Sequence, residues 1–255
     1  MKKISNFFSN FIGLAPLFLI LVLWESFSNK RSPHFPAPSY WLQSIQQIFL
    51  NGILINSIWN TIWTFLIGLL IAASSGFILG ILIGINSSIK EWTAFILEAF
   101  RSLPPPVIIP IAVLLMGYSP SMKIAVISIA TLWPILLNVI AGVSQISLGV
   151  IDASKSLKLS RKDMLLKIVF PSVLPFYILG IRVAIPLAIV ITLLIEMLTG
   201  MIGLGGIMIA GQRNYNSAQV FGVLVIVGLL GLGINLFSQL IERQLLKNWP
   251  PKKSL

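Results

Sequence analysis

The ionisable side chains Glu98, Arg101, Arg182 and Glu196 fall within long apolar runs of this chain. Charged groups at membrane depth are costly and face a cavity or a partner, so these four are the first candidates for a solute pathway. Arg101 leads directly into Ser102-Leu103-Pro104-Pro105-Pro106. Each proline of that run removes a backbone donor and clashes with the preceding turn. Inside a bilayer, the freed backbone groups need a neighbouring helix or a water-lined cavity. The run therefore reads either as a broken helix beside a solute pathway or as a kink held by packed neighbours. Glu98 and Arg101, spaced i,i+3, can neutralise each other, and Arg182 can reach the inner interface with its long stem. A packing or gate-supporting role thus competes with solute contact for every one of these residues. Trp133-Pro134 predicts a milder kink.

The second concentration of chemistry is a basic island, DASKSLKLSRKDMLLKIVFPSVLP, from Asp152 to Pro175. Lys155, Lys158, Arg161, Lys162 and Lys167 face only Asp152 and Asp163 there. Val150, Ala153 and Leu157 fall at i, i+3 and i+7, giving a short helix one apolar face. Ser160 can cap a second helix, and Asp163 three residues on completes a short-armed capping box. Met164, Leu165, Ile168 and Val169 form the apolar stripe of that second helix, Arg161, Lys162 and Lys167 its polar side, and Pro171 its end. The island reads as a helix–turn–helix elbow on the cytoplasmic membrane surface. Rest on anionic lipid would also account for its charge.

Other chemistries are excluded. There is no cysteine for disulfides or thiolate sites, and the lone His34 makes no metal centre. The seven carboxylates are scattered, and no nucleophile–histidine pair can form away from His34, so no catalytic set exists. A G-x-x-x-x-G-K-[ST] phosphate loop is absent. Gly200, Gly203, Gly205 and Gly206 follow an apolar span without a βαβ context, so they predict a turn outside the membrane rather than a dinucleotide site. The chain is expected to bind no cofactor and to be no enzyme on its own.

These groups must be positioned by membrane helices. Of 255 residues, 56% are hydrophobic and 10% charged, with a mean hydropathy of +0.95. A soluble domain carries about a quarter charged residues. The apolar runs meet the requirement of roughly 20 residues for crossing a bilayer, and none shows the alternation of a barrel strand. The sequence predicts an all-α, polytopic membrane protein of about six transmembrane helices. They are placed near Phe11–Phe27, Trp59–Ile85, Thr93–Gly117, Met122–Val143, Leu174–Leu198 and Ala218–Leu240.

Charge sets the expected orientation. Lys2, Lys3, Lys90, the island, and Arg243, Lys247, Lys252 and Lys253 alternate with a sparser set of Lys30, Arg31, Lys123 and Arg213. Cytoplasmic loops accumulate lysine and arginine, which predicts both termini inside and accounts for the net charge of +11 without nucleic acid. The N-terminus has signal-peptide features, but Ser26-Phe27-Ser28 is a poor cleavage site, so an uncleaved first helix is preferred. Pro33, Pro36 and Pro38 imply an extended outer loop leading to an amphipathic helix near Tyr40–Leu50. Residues 1–58 are read as this N-terminal part, and 59–255 as a core that carries the elbow at 150–171. Gly68, Ala72, Ala73, Gly76, Gly80 and Gly84 make a smooth face for helix packing, within the chain or across a dimer. No long internal repeat is evident.

The island resembles the cytoplasmic signature of the permease subunits of bacterial ABC importers: Glu-Ala-Ala, three residues, Gly, nine residues, Ile-x-Leu-Pro. Here Asp152-Ala153-Ser154, Lys158 and Ile168-Val169-Phe170-Pro171 keep that spacing in full. Trp24-Glu25, Pro36-Ala37-Pro38, Arg101-Ser102-Leu103-Pro104, Gly180-Ile181-Arg182, and Glu196 followed by Gly203-Leu204-Gly205 extend the likeness over nearly the whole chain. It is nearest the sulfonate, taurine, nitrate and thiamine-precursor branch. The resemblance implies a MetI-like permease core in the bacterial inner membrane, working as a homodimer by alternating access. Separate ABC ATPase subunits would bind ATP and Mg, and an extracytoplasmic solute-binding protein would deliver the solute.

By the same resemblance, Asp152, Ala153, Ser154, Lys155, Leu157, Lys158 and Arg161 form the coupling helix that docks on the ATPase. Arg101, Pro104, Pro105, Pro106, Arg182 and Glu196 remain the pathway or gate candidates, and the glycine turn would lie at the entrance facing the binding protein. Lys158 stands where the family has glycine. A left-handed backbone there costs a non-glycine residue about 1 kcal/mol, so the elbow either carries that cost or turns differently. A self-sufficient channel or secondary transporter is the competing reading; it predicts ion-binding polar clusters in the spans, and the few charges there argue against it.

Overall fold

A computed structural model describes residues 15–28 and 34–246. Among them every regular element is helical: α1 (Ala15–Phe27), α2 (Pro38–Leu50), α3 (Ile53–Ile85), α4 (Ser87–Arg101), α5 (Pro105–Met116), α6 (Pro120–Ser144), α7 (Leu148–Ser156), α8 (Arg161–Thr199), α9 (Leu204–Arg213) and α10 (Ser217–Leu246). Four of these, α3, α6, α8 and α10, are long and apolar enough to cross a membrane, and the pair α4–α5 makes a fifth span if counted together. Of the expected first span, residues 11–14 lie outside the described residues. So do Lys2, Lys3, Lys30, Arg31, Pro33, Lys247, Lys252 and Lys253, on which the charge and outer-loop readings partly rest.

The small-residue face of α3 is used within the chain. Gly68, Gly76, Gly80 and Gly84 of α3 pack in turn on Ile127, Ile135, Val139 and Val143 of α6. A Cβ at Gly68 or Gly80 would stand 2.6 Å from Ile127 Cγ2 or Val139 Cγ1, so only glycine permits this approach. Helix α8 closes the other side of α6, where Gly180 lies against the backbone of Pro134 and Ile135. The result is a three-helix core, α3–α6–α8, centred on Phe65, Met122, Ile127, Ile191 and Ile195 at one level and Ala72, Ile135, Val139, Val173 and Ala184 at another.

Helices α1, α2 and α10 are fastened to one another by polar and aromatic contacts. Trp24 of α1 packs on Trp41 of α2 and Phe221 of α10, with ring centroids 5.0 and 5.3 Å away. Glu25 accepts hydrogen bonds from the backbone N–H (3.0 Å) and hydroxyl (2.8 Å) of Ser39. Its carboxylate thereby caps the start of α2, whose own N-cap residue, Ala37, has no side-chain acceptor. Helix α3 begins at Ile53 rather than near Trp59.

Of the two readings of the proline run, the break is the one seen: α4 and α5 meet at 89° across Ser102–Pro104, because Pro104, Pro105 and Pro106 offer no N–H to carry α4 onward. Two expectations need correction. The second elbow helix does not stop at Pro171. A wide π-turn over Leu165–Val169 precedes it, and the helix continues to Thr199. A π-bulge absorbs an interruption of the i→i−4 ladder without ending the helix, so Pro171 is carried past, as are Pro175 and Pro186 further on. Last, Lys123 is no loop charge; it is 1% exposed in the first turn of α6.

Candidate functional site

The elbow is built by α7, a turn, and the start of α8. Ser154 of α7 is buried and Ile151 half-buried; with Val143, Met164 and Ile168 they line a cavity where α3, α6 and α8 come together. The stripe Val150, Ala153 and Leu157 faces outward instead, with Val150 45% and Leu157 74% exposed. Lys158 has φ +50°, and the Leu159 N–H reaches back to the Ser154 carbonyl at 3.1 Å. That is a Schellman closure with a left-handed residue at C′. The turn thus forms at the position of the family's glycine, and Lys158 carries the left-handed cost.

Helix α8 starts on Ser160, whose Oγ accepts from the Asp163 N–H at 3.0 Å. Asp163 answers by accepting from the Ser160 hydroxyl at 2.6 Å and pairs with Lys167 at 2.7 Å. Its short arm thus meets the hydroxyl in its version of the capping box. Asp152, Lys158 and Arg161 are exposed on the same elbow.

A second constellation sits at the opposite end of the core. Glu196, fully buried in α8, pairs with Lys123 Nζ at 2.7 Å. It also accepts from the Thr61 hydroxyl of α3 (2.9 Å) and from the Gly205 N–H (2.9 Å). Thr61 in turn accepts from the Leu204 N–H at 3.0 Å. One carboxylate therefore ties together α3, α6, α8 and the turn into α9. Gly203 and Gly205 permit this, since a Cβ on Gly203 would collide with the Glu196 carboxylate and one on Gly205 with the Leu193 carbonyl. The glycine turn is present as expected, but it is folded over a buried charge. Outside it lies a cavity of about 450 Å³, edged by Gln47, Asn51, Asn56, Asn216 and Gln219.

The remaining candidates are not brought into one cluster. Phe100 stacks on Trp133, centroids 5.9 Å apart, which sets the end of α4 against α6. Arg101 and Pro105 then edge a cavity of about 560 Å³ with Trp133, Pro134 and Asn138 of α6 and Val183 and Leu187 of α8. Pro104 and Pro106 are exposed beside it. Glu98 approaches Arg101 to 4.0 Å on an exposed surface. Arg182 faces a different groove, where Glu242 of α10 accepts from it at 3.4 Å. Helix α6 runs through Pro134, and the Asn138 side-chain amide donates to the Pro134 carbonyl, 2.7 Å away.

Residues 76–248 match the profile of the binding-protein-dependent transport system inner membrane component. The chain belongs to that family. This permease is 34% identical over 169 residues to a nitrate import permease protein of Leptolyngbya laminosa, covering 66% of this chain and 61% of that relative. It is 29% identical over 250 residues to a bicarbonate transport system permease protein of Synechococcus elongatus, covering 93% and 90% of the two chains. In architecture it resembles an inward-facing form of the MetNI methionine ABC transporter, with a TM-score of 0.67 at 20% identity, over 76% of this chain and 97% of that one. It is thus a transmembrane permease subunit of an ABC importer, all-helical, in the inner membrane, and not a member of a catalytic family.

Two roles were hidden from sequence reading. Lys123 looked like an edge charge because a lone lysine in the first turn of a span can always be imagined in water. Its partner lies 73 positions away and no local pattern links them. Glu242 escaped notice as the partner of Arg182 for the same reason, 60 positions apart.

Proposed function

We propose that this permease imports a small oxyanion of the nitrate or bicarbonate kind, driven by separate ATPase subunits that carry the ATP and Mg. The observation that carries the coupling part is the elbow. Its apolar stripe Val150–Ala153–Leu157 is turned outward on a short helix with a fixed C-terminal closure, while Ser154 anchors the other face in the core. A rigid lever of that form transmits force only if something grips it differently in two states. Asp152, Lys158 and Arg161, all exposed, would supply the polar rim of the grip. The solute part rests on the two relatives named for nitrate and bicarbonate.

In this reading the elbow and both termini are cytoplasmic, two identical copies pair, and an extracytoplasmic binding protein delivers the anion to the end that carries Gly200–Gly206. Solute passes by alternating access, with Arg101, Pro104, Pro105, Pro106, Arg182 and Glu196 lining or supporting the gates.

Reconstitution with the partner ATPase and binding protein tests the whole. Nitrate and bicarbonate uptake should require ATP, and uptake by this chain alone would overturn the reading. Ala153→Asp should weaken ATPase association several-fold while membrane insertion is unchanged, because a carboxylate on the docking face must be desolvated on binding. An unaltered complex would remove the elbow from the mechanism.

A further inference from the structure

Lys123, Arg182 and Arg101 are held in graded fashion. Lys123 meets a carboxylate at 2.7 Å, Arg182 at 3.4 Å and Arg101 at 4.0 Å. The last distance is beyond hydrogen bonding, and both side chains of that pair are more than half exposed. Arg101 thus stands at mid-span with its forked donors uncommitted to Glu98, on the edge of the cavity of about 560 Å³ between α4, α5, α6 and α8. Arginine at such depth is sustained by water or by a partner of opposite charge.

The rest of that cavity suits one class of visitor. Arg101 is the sole charged residue among those lining it, and Asn138 is the sole carboxamide. The Asn138 Nδ2 spends one hydrogen on the Pro134 carbonyl and keeps a second for another acceptor. Prolines, Trp133, Leu137 and Val183 make up most of the remaining wall. A planar fork of donors with a nearby amide N–H, in otherwise apolar surroundings, matches an oxyanion with two oxygens on one face.

We propose that the Arg101–Asn138 cavity is a way-station for the transported oxyanion, with Arg101 its charge-recognising residue. This rests on the reading of the chain as an oxyanion importer. The volume exceeds that of a bare nitrate many-fold, so the anion is held with part of its water. Transit requires such loose holding, because a tightly bound ion would not leave.

The chain has no cysteine, so Leu137→Cys places a single thiol in the cavity wall. In the assembled transporter, that thiol is reacted with an anionic and a cationic methanethiosulfonate reagent. The anionic-to-cationic rate ratio should fall about tenfold when Arg101→Gln is added, consistent with removal of one nearby charge, and Arg101→Lys should restore most of it. Nitrate should slow the anionic reagent only while Arg101 or Lys is present. An unreactive thiol, or a ratio unmoved by Arg101→Gln, would overturn the proposal.

Uptake separates this from failure of the import reading. If the unmodified transporter takes up nitrate or bicarbonate and Arg101→Gln does so equally well, the way-station alone fails. If it takes up neither anion while its ATPase responds to the binding protein, the solute assignment fails, and with it the way-station.

Discussion

Two acid–base pairs of the same chemistry occupy opposite environments in this permease. Lys123–Glu196 is sealed in the core at 2.7 Å, and Arg101–Glu98 lies open at 4.0 Å. The buried carboxylate has its lone pairs filled by Lys123, Thr61 and Gly205, so nothing remains to offer a solute. The open arginine has most of its donors to spare. Burial and full satisfaction mark a structural fastening, whereas exposure at mid-span with a loose partner marks a group kept for a passing ligand. Two residues that composition ranks together as intramembrane charges therefore divide into a clamp and a contact.

The sharpest way to break the comparison is to remove one half of the clamp. Lys123→Met leaves Glu196 buried without its cation, and stranding one partner of a buried pair costs about 3–5 kcal/mol. Most of the protein should fail to reach a monodisperse detergent-solubilised form, or should unfold at much lower temperature in a thermal size-exclusion assay. Adding Glu196→Gln should recover more than half of the loss. The double variant strands no charge, and the glutamine oxygen still accepts from Gly205 or Thr61. If the single and double variants were equally damaged, the damage would come from lost packing rather than an unpaired charge.

Next in size is the backbone around the clamp. Gly203→Ala would drive a methyl into the Glu196 carboxylate, which is pinned from three sides and cannot retreat. Overpacking of this kind costs about 1–3 kcal/mol. The same thermal assay should place Gly203→Ala between Lys123→Met and the native chain. Gly228→Ala in α10, with nothing near its absent side chain, should leave stability almost unchanged and is the matched control.

How far these features could be read in advance follows from their range in sequence. The Ser160–Asp163 cap, the Val150–Ala153–Leu157 stripe and the proline break after Arg101 each depend on residues within one or two turns, and the local pattern carried them. The glycine face of α3 was visible as a pattern, but its partner was not, because only the fold shows that α6 rather than a second copy covers it. Pro171 misled for a related reason: proline signals a missing hydrogen bond, and whether the helix ends or widens into a π-turn is settled by what packs around it. The clamp was the least legible, since Thr61, Lys123, Glu196 and Gly205 share no local register. Lys158 lay between these extremes, its spacing locating the turn while its side chain argued against one.

The finest test acts on the open pair. Glu98→Gln removes a carboxylate that is 80% exposed and only 4.0 Å from Arg101, and exposed pairs contribute about 0–1 kcal/mol. The melting temperature should barely move, in contrast to the clamp variants. Function should shift the other way, because withdrawing the one competing carboxylate frees the guanidinium further for an incoming anion. Nitrate should then protect the Leu137→Cys thiol at lower concentration in the Glu98→Gln background than in the native one. A marked loss of stability in Glu98→Gln would mean that the open pair fastens α4 after all, and that the division into clamp and contact is wrong.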